Sequence, residues 1–135
     1  MSVLKCIHHI NFIVADLDSA VDAYQHTLGL GPFEYEELEE RDVATARVRV
    51  GDTWIVLVSP RSKESPAAHY LETHGEGFFL MSFGVDNLEQ AIAELSQQGA
   101  VSANSETRTG ILGWQVADLD TEESLGAKFH ITEVD

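Results

Sequence analysis

The chain has 135 residues, one cysteine and a formal net charge of −15, from 23 acidic against 8 basic side chains. That length suits one domain able to bury roughly two thirds of its unfolded surface, and with Cys6 alone no intrachain disulfide forms. The averaged negative field disfavours nucleic acid, anionic membranes and polyphosphate ligands, and Asp16, Arg47, Arg49 and Asp52 break every apolar run well short of the ~18 residues of a membrane span. No basic, apolar, small-residue leader precedes the first strand, so a cytoplasmic location is expected, with Cys6 a packed side chain.

In chain order, residues 4–14 alternate as a strand, with Ile10, Phe12 and Val14 on one face and His9, Asn11 and Ile13 on the other. The apolar face should meet a helix that begins near Asp16 or Asp18, buries Leu17, Ala20, Val21 and Tyr24, and closes at Gly29 and Gly31. A short strand is expected from Phe33 to Leu38. Val43 to Pro60 reads as two strands around the tight-turn pair Gly51-Asp52, with Trp54, Val56 and Val58 on one face and Ile55 and Leu57 on the other. Ser65-Pro66 is a cap followed by a favoured first helical residue, so Ala67 to His74 is a short linking helix ending near Gly75.

Beyond it the first pattern returns at one fixed offset without a gap. Ile10-Asn11-Phe12-Ile13-Val14, then Leu17, Ala20, Val21 and Tyr24, recurs as Met81-Ser82-Phe83-Gly84-Val85, then Leu88, Ala91, Ile92 and Leu95. A strand is expected from Phe78 to Val85 and a helix from Asn87 to Gln98 ending at Gly99. Val101 to Asp135 is left for further strands, with Trp114, Val116, Phe129 and Ile131 as apolar anchors. In this register His9 falls on Leu80, so only the first copy keeps an imidazole there.

His8-His9-Ile10-Asn11-Phe12-Ile13-Val14-Ala15-Asp16-Leu17, the helix through Tyr24 and the ending Leu28-Gly29-Leu30 resemble the first motif of the vicinal oxygen chelate superfamily. That superfamily includes glyoxalase I, extradiol dioxygenases, bleomycin-resistance proteins and methylmalonyl-CoA epimerase. Gly51-Asp52-Thr53, Ser65-Pro66-Ala67-Ala68, Leu71-Glu72 and Gly75-Glu76-Gly77 are most similar to the epimerase branch, and the resemblance covers nearly the whole chain. It implies an α+β fold of one domain, 1–135, built from two βαβββ modules at about 1–64 and 77–135. They form curled mixed sheets around a shared cleft and are joined by a helix at about 66–74.

The resemblance also implies four places for donors to a divalent metal. His9 matches the first, and Val56, Leu80 and His130 occupy the others. Valine and leucine offer no lone pair, so His9 and His130 remain as an incomplete metal pair, whereas catalytic zinc takes three protein donors and octahedral ions at least as many. No cofactor is expected, and a divalent metal only if a further donor is recruited. His130 is also the candidate base for proton abstraction next to a carbonyl. Arg47 or Arg49 would stabilise the resulting oxyanion if either faces the site, an orientation the sequence leaves open. The expected ligand-binding surface is His9, Asn11, Trp54, Val56, Val58, Phe78, Leu80, Ser82, Trp114 and His130, apolar walls with a few convergent polar groups.

Bland readings compete with several of these. His8 should point away as a hydrogen-bonded rim residue, and His26, His69 and His74 sit on helices or at their ends, complementing the helix dipole. The run Glu34, Glu36, Glu37, Glu39, Glu40 reads as a solvated edge rather than a set of metal ligands, and with few basic residues beyond Arg61 and Lys63 nearby it argues against acyl-CoA. The leading expectation is a small-molecule-binding domain with a degenerate metal site, a partly hydrophobic ligand and a homodimeric state. The rivals are a metal-dependent isomerase or lyase using His9 and His130, and a ligand-free structural or interaction protein.

Overall fold

The computed structural model describes residues 2–97 and 107–134. Its elements run β1 (Cys6–Ile13), α1 (Leu17–Leu28), β2 (Glu34–Leu38), β3 (Val43–Val50), β4 (Thr53–Pro60) and α2 (Pro66–His74), followed by β5 (Gly77–Val85), α3 (Leu88–Gln97), β6 (Thr107–Thr109), β7 (Gln115–Leu119), α4 (Glu122–Leu125) and β8 (Lys128–Glu133). The order strand, helix, three strands therefore occurs twice, with α2 between the copies and α4 inserted before the last strand. This is the α+β fold expected. The chain divides into a continuous unit, Ile10–Phe79, and a split unit, Met1–His9 with Leu80–Asp135.

In the continuous unit, Asp16 caps α1 by accepting the Ser19 amide at 2.9 Å, and Gly29 ends it in the left-handed conformation, φ 69°. β3 and β4 pair antiparallel from Val43↔Pro60 to Val50↔Thr53. The turn between them carries Gly51 at φ 61°, a conformation that favours glycine. β2 pairs antiparallel with the other edge of β3, Glu34↔Arg47 to Leu38↔Val43, and the Val14 amide donates to the Val58 carbonyl at 2.9 Å. Strand alternation then sorts the side chains. Phe12, Val14, Phe33, Ala46, Val48, Ile55 and Leu57 pack on Leu17, Ala20, Val21 and Tyr24 of α1, as the sequence pattern requires. Asn11, Thr45, Arg47, Trp54, Val56 and Val58 fall on the opposite face.

The split unit sets β5 parallel to β8, β8 antiparallel to β7, and β7 antiparallel to β6. One face carries Phe83, Val85, Ala117, Leu119 and Ile131, which pack with Val3 and Leu4 on Leu88, Ala91, Ile92 and Leu95 of α3. Glu133 holds the start of that helix, accepting the Leu88 amide at 2.9 Å. The other face is polar. Ser82 lies beside His130 and Gly84 beside Thr132 in the β5/β8 register, Asp118 is directly opposite His130 across β7/β8, and Ser82 and Thr132 share a hydroxyl hydrogen bond of 2.6 Å. A Cβ on Gly84 would stand 2.5 Å from Cys6 Sγ and 2.8 Å from Val134 Cγ1, so any larger residue must displace those side chains.

Four details depart from the sequence reading. α4 carries no apolar period, and its Leu125 is exposed, so nothing in the hydrophobic pattern announces it. Cys6 is exposed rather than packed, because it stands at the outer start of β1. Trp114 closes a short 3-10 turn over Ile111–Gly113 instead of anchoring a strand. Phe129 is half-buried, stacked on Phe83 at 5.4 Å. The expected α3 end at Gln98-Gly99, and Val101, lie outside the described residues.

Candidate functional site

The polar face of the split unit gathers the chemistry-bearing side chains. β1 delivers His8 and His9 in succession, and their Nδ1 atoms lie 2.9 Å apart. The turn before β7 delivers Trp114, whose ring stacks on His9 at 4.9 Å and 21° and meets His8 edge-on at 4.6 Å. His8, expected to point away, thus shares the Trp114 ring with His9. His9 is buried, and its pKa is pushed well down, first by burial and then by the nearby positive charge of His8, His130 and Arg108. It is a neutral imidazole at neutral pH.

His130, also buried, places Nε2 2.7 Å from Asp118 Oδ1. Since a carboxylate only accepts, Nε2 carries the proton toward it. Arg108 reaches the same carboxylate from β6, Nη2 donating to Oδ1 at 3.0 Å and Nε to Oδ2 at 3.3 Å, while Nη2 also stands 3.4 Å from His130 Nδ1. The His130 hydrogen bond and the Arg108 guanidinium hold the Asp118 carboxyl far below the usual carboxylate range, against the opposing effect of burial.

Arg108 and Asp118 were absent from the sequence-based list. The available signal was period two on β7: Val116 and Asp118 share a face, and register sets Asp118 against His130 and Val116 against Arg108.

The structure brings His9, Trp114 and His130 together, with Ser82 beside His130 in register. Leu80 lies two residues from Ser82 on the same strand face and is buried. The remaining candidates belong to the continuous unit. Val56 and Val58 are buried there, Asn11 is buried with Oδ1 lacking a partner, and Phe78 is 41% exposed with its ring edge-on to Phe12 at 6.4 Å.

Trp54 lies beneath two guanidinium groups, Arg47 at 5.9 Å and Arg49 at 5.5 Å, which fixes the orientation the sequence left open. Arg47 is only 5% exposed. It donates from Nη1 to Glu36 at 2.8 Å and from Nη2 to Glu34 at 3.1 Å, while Arg61 pairs with Glu37 at 3.1 Å. Three members of the acidic run are thereby engaged by arginines of this unit. His26 and His74 bond the backbone carbonyls of Asp22 and Tyr70, four residues back, at 2.9 and 3.2 Å.

A tightly held divalent ion does not fit these donors. His9 and His130 are two imidazoles, and a fixed guanidinium, Arg108 Nη2, stands 3.2 Å from His130 Nε2, where its positive charge opposes a second cation. Val56 and Leu80 contribute only hydrocarbon. Among the described residues no three His, Cys, Asp or Glu side chains are arranged to hold a metal.

Residues 8–117 match the sequence profile of the Glyoxalase/Bleomycin resistance protein/Dioxygenase superfamily. The chain belongs to that superfamily. YqjC of Bacillus subtilis, an uncharacterized protein, is 27% identical over 127 residues, 94% of this chain and 91% of YqjC. Human mitochondrial methylmalonyl-CoA epimerase is 28% identical over 121 residues, 89% of this chain and 69% of the human protein. Among solved structures, a hypothetical protein of Bacillus halodurans C-125 aligns with a TM-score of 0.90 at 29% identity, covering 96% of this chain and 94% of that one. A methylmalonyl-CoA epimerase in complex with methylmalonyl-CoA and NH4+ aligns with a TM-score of 0.89 at 26% identity, with the same coverage. No helix among the described residues is long and apolar enough to cross a membrane.

Proposed function

We propose that this superfamily member is a small-molecule-binding domain whose metal centre is degenerate, and that it takes a small, partly hydrophobic ligand on the polar face of the split unit. The observation that carries this reading is the company kept by the two candidate ligand imidazoles. His9 is stacked on Trp114, and His130 is held between Asp118 and Arg108, so the site already contains a resident cation. An aromatic wall beside a few oriented polar groups suits a compact organic molecule. A cytoplasmic location and a homodimer belong to the same reading, the latter checked by light scattering in solution.

The test is metal analysis of purified protein after mild chelation and reloading, alongside a His9→Ala/His130→Ala variant. Equal, substoichiometric metal in both is expected. A stoichiometric ion lost only from the variant would falsify the degenerate-centre reading and favour a metal-dependent isomerase or lyase. A second reading is favoured by one contact: Asp118 holding His130 at 2.7 Å is an orienting arrangement for an imidazole general base. The relatives named methylmalonyl-CoA epimerase support an isomerase acting next to a carbonyl. In that reading His130 takes the proton, and solvent exchange of an α-proton of a supplied 2-substituted malonyl thioester, followed by NMR, is its assay.

A further inference from the structure

The two units surround Arg47, which is buried, and Arg108, which is half-buried, differently. Arg47 in the continuous unit meets two carboxylates, one at each terminal nitrogen: Glu36 on Nη1 and Glu34 on Nη2. Arg108 in the split unit meets one. Asp118 takes its side edge through Nε and Nη2, His130 takes the second contact of Nη2, and Nη1 makes no hydrogen bond to a described residue. The Arg108 side chain is 23% exposed. A guanidinium carries donors in a rigid fork matched to planar carboxylates, and charge-assisted hydrogen bonds of this kind are roughly twice as strong as neutral ones.

The surroundings suit a ligand with an apolar body. Trp114 stands beside the cluster as an aromatic wall, one face stacked on His9. The chain's net charge of −15 does not forbid an anion here, because charges beyond ~10 Å are largely screened at physiological salt whereas Arg108 acts at contact distance.

Building on the binding-domain reading, we propose that Arg108 is the ligand receptor: its Nη1 edge takes a carboxylate oxygen of a small acid whose flat apolar body lies against Trp114. Asp118 and His130 are positioning residues that fix the guanidinium. The ligand carboxylate completes on Arg108 the two-carboxylate arrangement that Glu34 and Glu36 complete on Arg47. A single planar carboxylate is specified rather than a phosphate, since only one guanidinium is present and Asp118 already contributes a negative charge to it.

The test is an NMR titration of the full chain with benzoate, benzamide, indole and inorganic phosphate, following the Arg108 Nε–H and Trp114 indole N–H signals. Saturable benzoate binding is expected, at least about tenfold tighter than benzamide, with phosphate inert. Arg108→Gln should weaken benzoate about tenfold and leave indole unchanged. Arg108→Lys, which keeps the charge but loses the two-pronged hold of Asp118, should fall between. Folding of each variant is verified by its thermal midpoint.

Benzamide binding as tightly as benzoate, phosphate displacing benzoate, or either variant binding benzoate like the parent would overturn the proposal. In those cases, continued indole binding leaves the binding-domain reading intact. Failure of both benzoate and indole to bind would remove both.

Discussion

The two compact units share a plan and differ in how they close it. Each lays a mixed or antiparallel sheet against one principal helix, α1 or α3, and each carries on the other face of its sheet a tryptophan and a buried or half-buried arginine. In the continuous unit Arg47 is neutralised by Glu34 and Glu36 and covered by Trp54. In the split unit Arg108 keeps one carboxylate and an imidazole, with no hydrogen bond from Nη1 to a described residue, while the local tryptophan stacks on histidine. Arg47 ties β2 to β3 through both terminal nitrogens, while its buried Nε has no hydrogen-bond partner. Arg108 meets a single carboxylate, and a ligand is proposed to supply the second.

The largest effect tests whether both helix-facing cores carry comparable weight. Leu57→Ala in the continuous unit and Ile131→Ala in the split unit each truncate a fully buried side chain and should each lower the unfolding free energy by about 3 kcal/mol, read from chemical denaturation. A loss below about 1 kcal/mol at either site would mean that its core tolerates a void better than the packing indicates.

Next, Gly84→Ala drives a methyl into Cys6 Sγ and Val134 Cγ1 and should cost about 1–3 kcal/mol. Pairing it with Cys6→Ala, which clears the nearer atom, should recover part of that loss. No recovery would point to Val134 instead.

The arginine comparison gives the third contrast. Arg108→Gln is expected to weaken benzoate about tenfold, or roughly 1.4 kcal/mol, whereas Arg47→Gln should lower the thermal midpoint and change benzoate affinity less than about twofold. If Arg47→Gln alone abolishes binding, the assignment of roles between the two units is reversed.

The smallest effect is in pH. The folded pKa of Asp118 lies below its unfolded value, mainly because His130 donates to it and then because of Arg108. Its contribution to stability is therefore present above about pH 4 and fades as pH falls further toward the folded pKa. Asp118→Asn should flatten that acid limb in thermal scans taken between pH 6 and pH 3. An unchanged limb would assign it to other carboxylates.

Much of the fold was legible because its causes are local. Asp16 and Ser65 announce helix starts, Gly29 and Gly75 helix ends, and Gly51-Asp52 the hairpin turn, and each stands where the pattern placed it. Period-two alternation separated Trp54, Val56 and Val58 from Ile55 and Leu57. The candidate site was legible only in part. His9, Trp114 and His130 were named, yet Arg108 and Asp118 were not, because an arginine and an aspartate in a net-acidic chain look like surface residues until register sets them against an imidazole.

By itself the sequence determined the repeated strand-helix unit, the faces of its strands and helices, and the hydrocarbon at Val56 and Leu80 where the family resemblance implies metal donors. These follow from periodicity, capping and side-chain chemistry, which act within a few residues or are intrinsic to one. Tertiary structure decided that Arg47 meets two carboxylates and Arg108 one, and that His8 and His9 both meet the Trp114 ring. Those outcomes depend on strand pairing across distant segments, where one step of register exchanges one face of the sheet for the other.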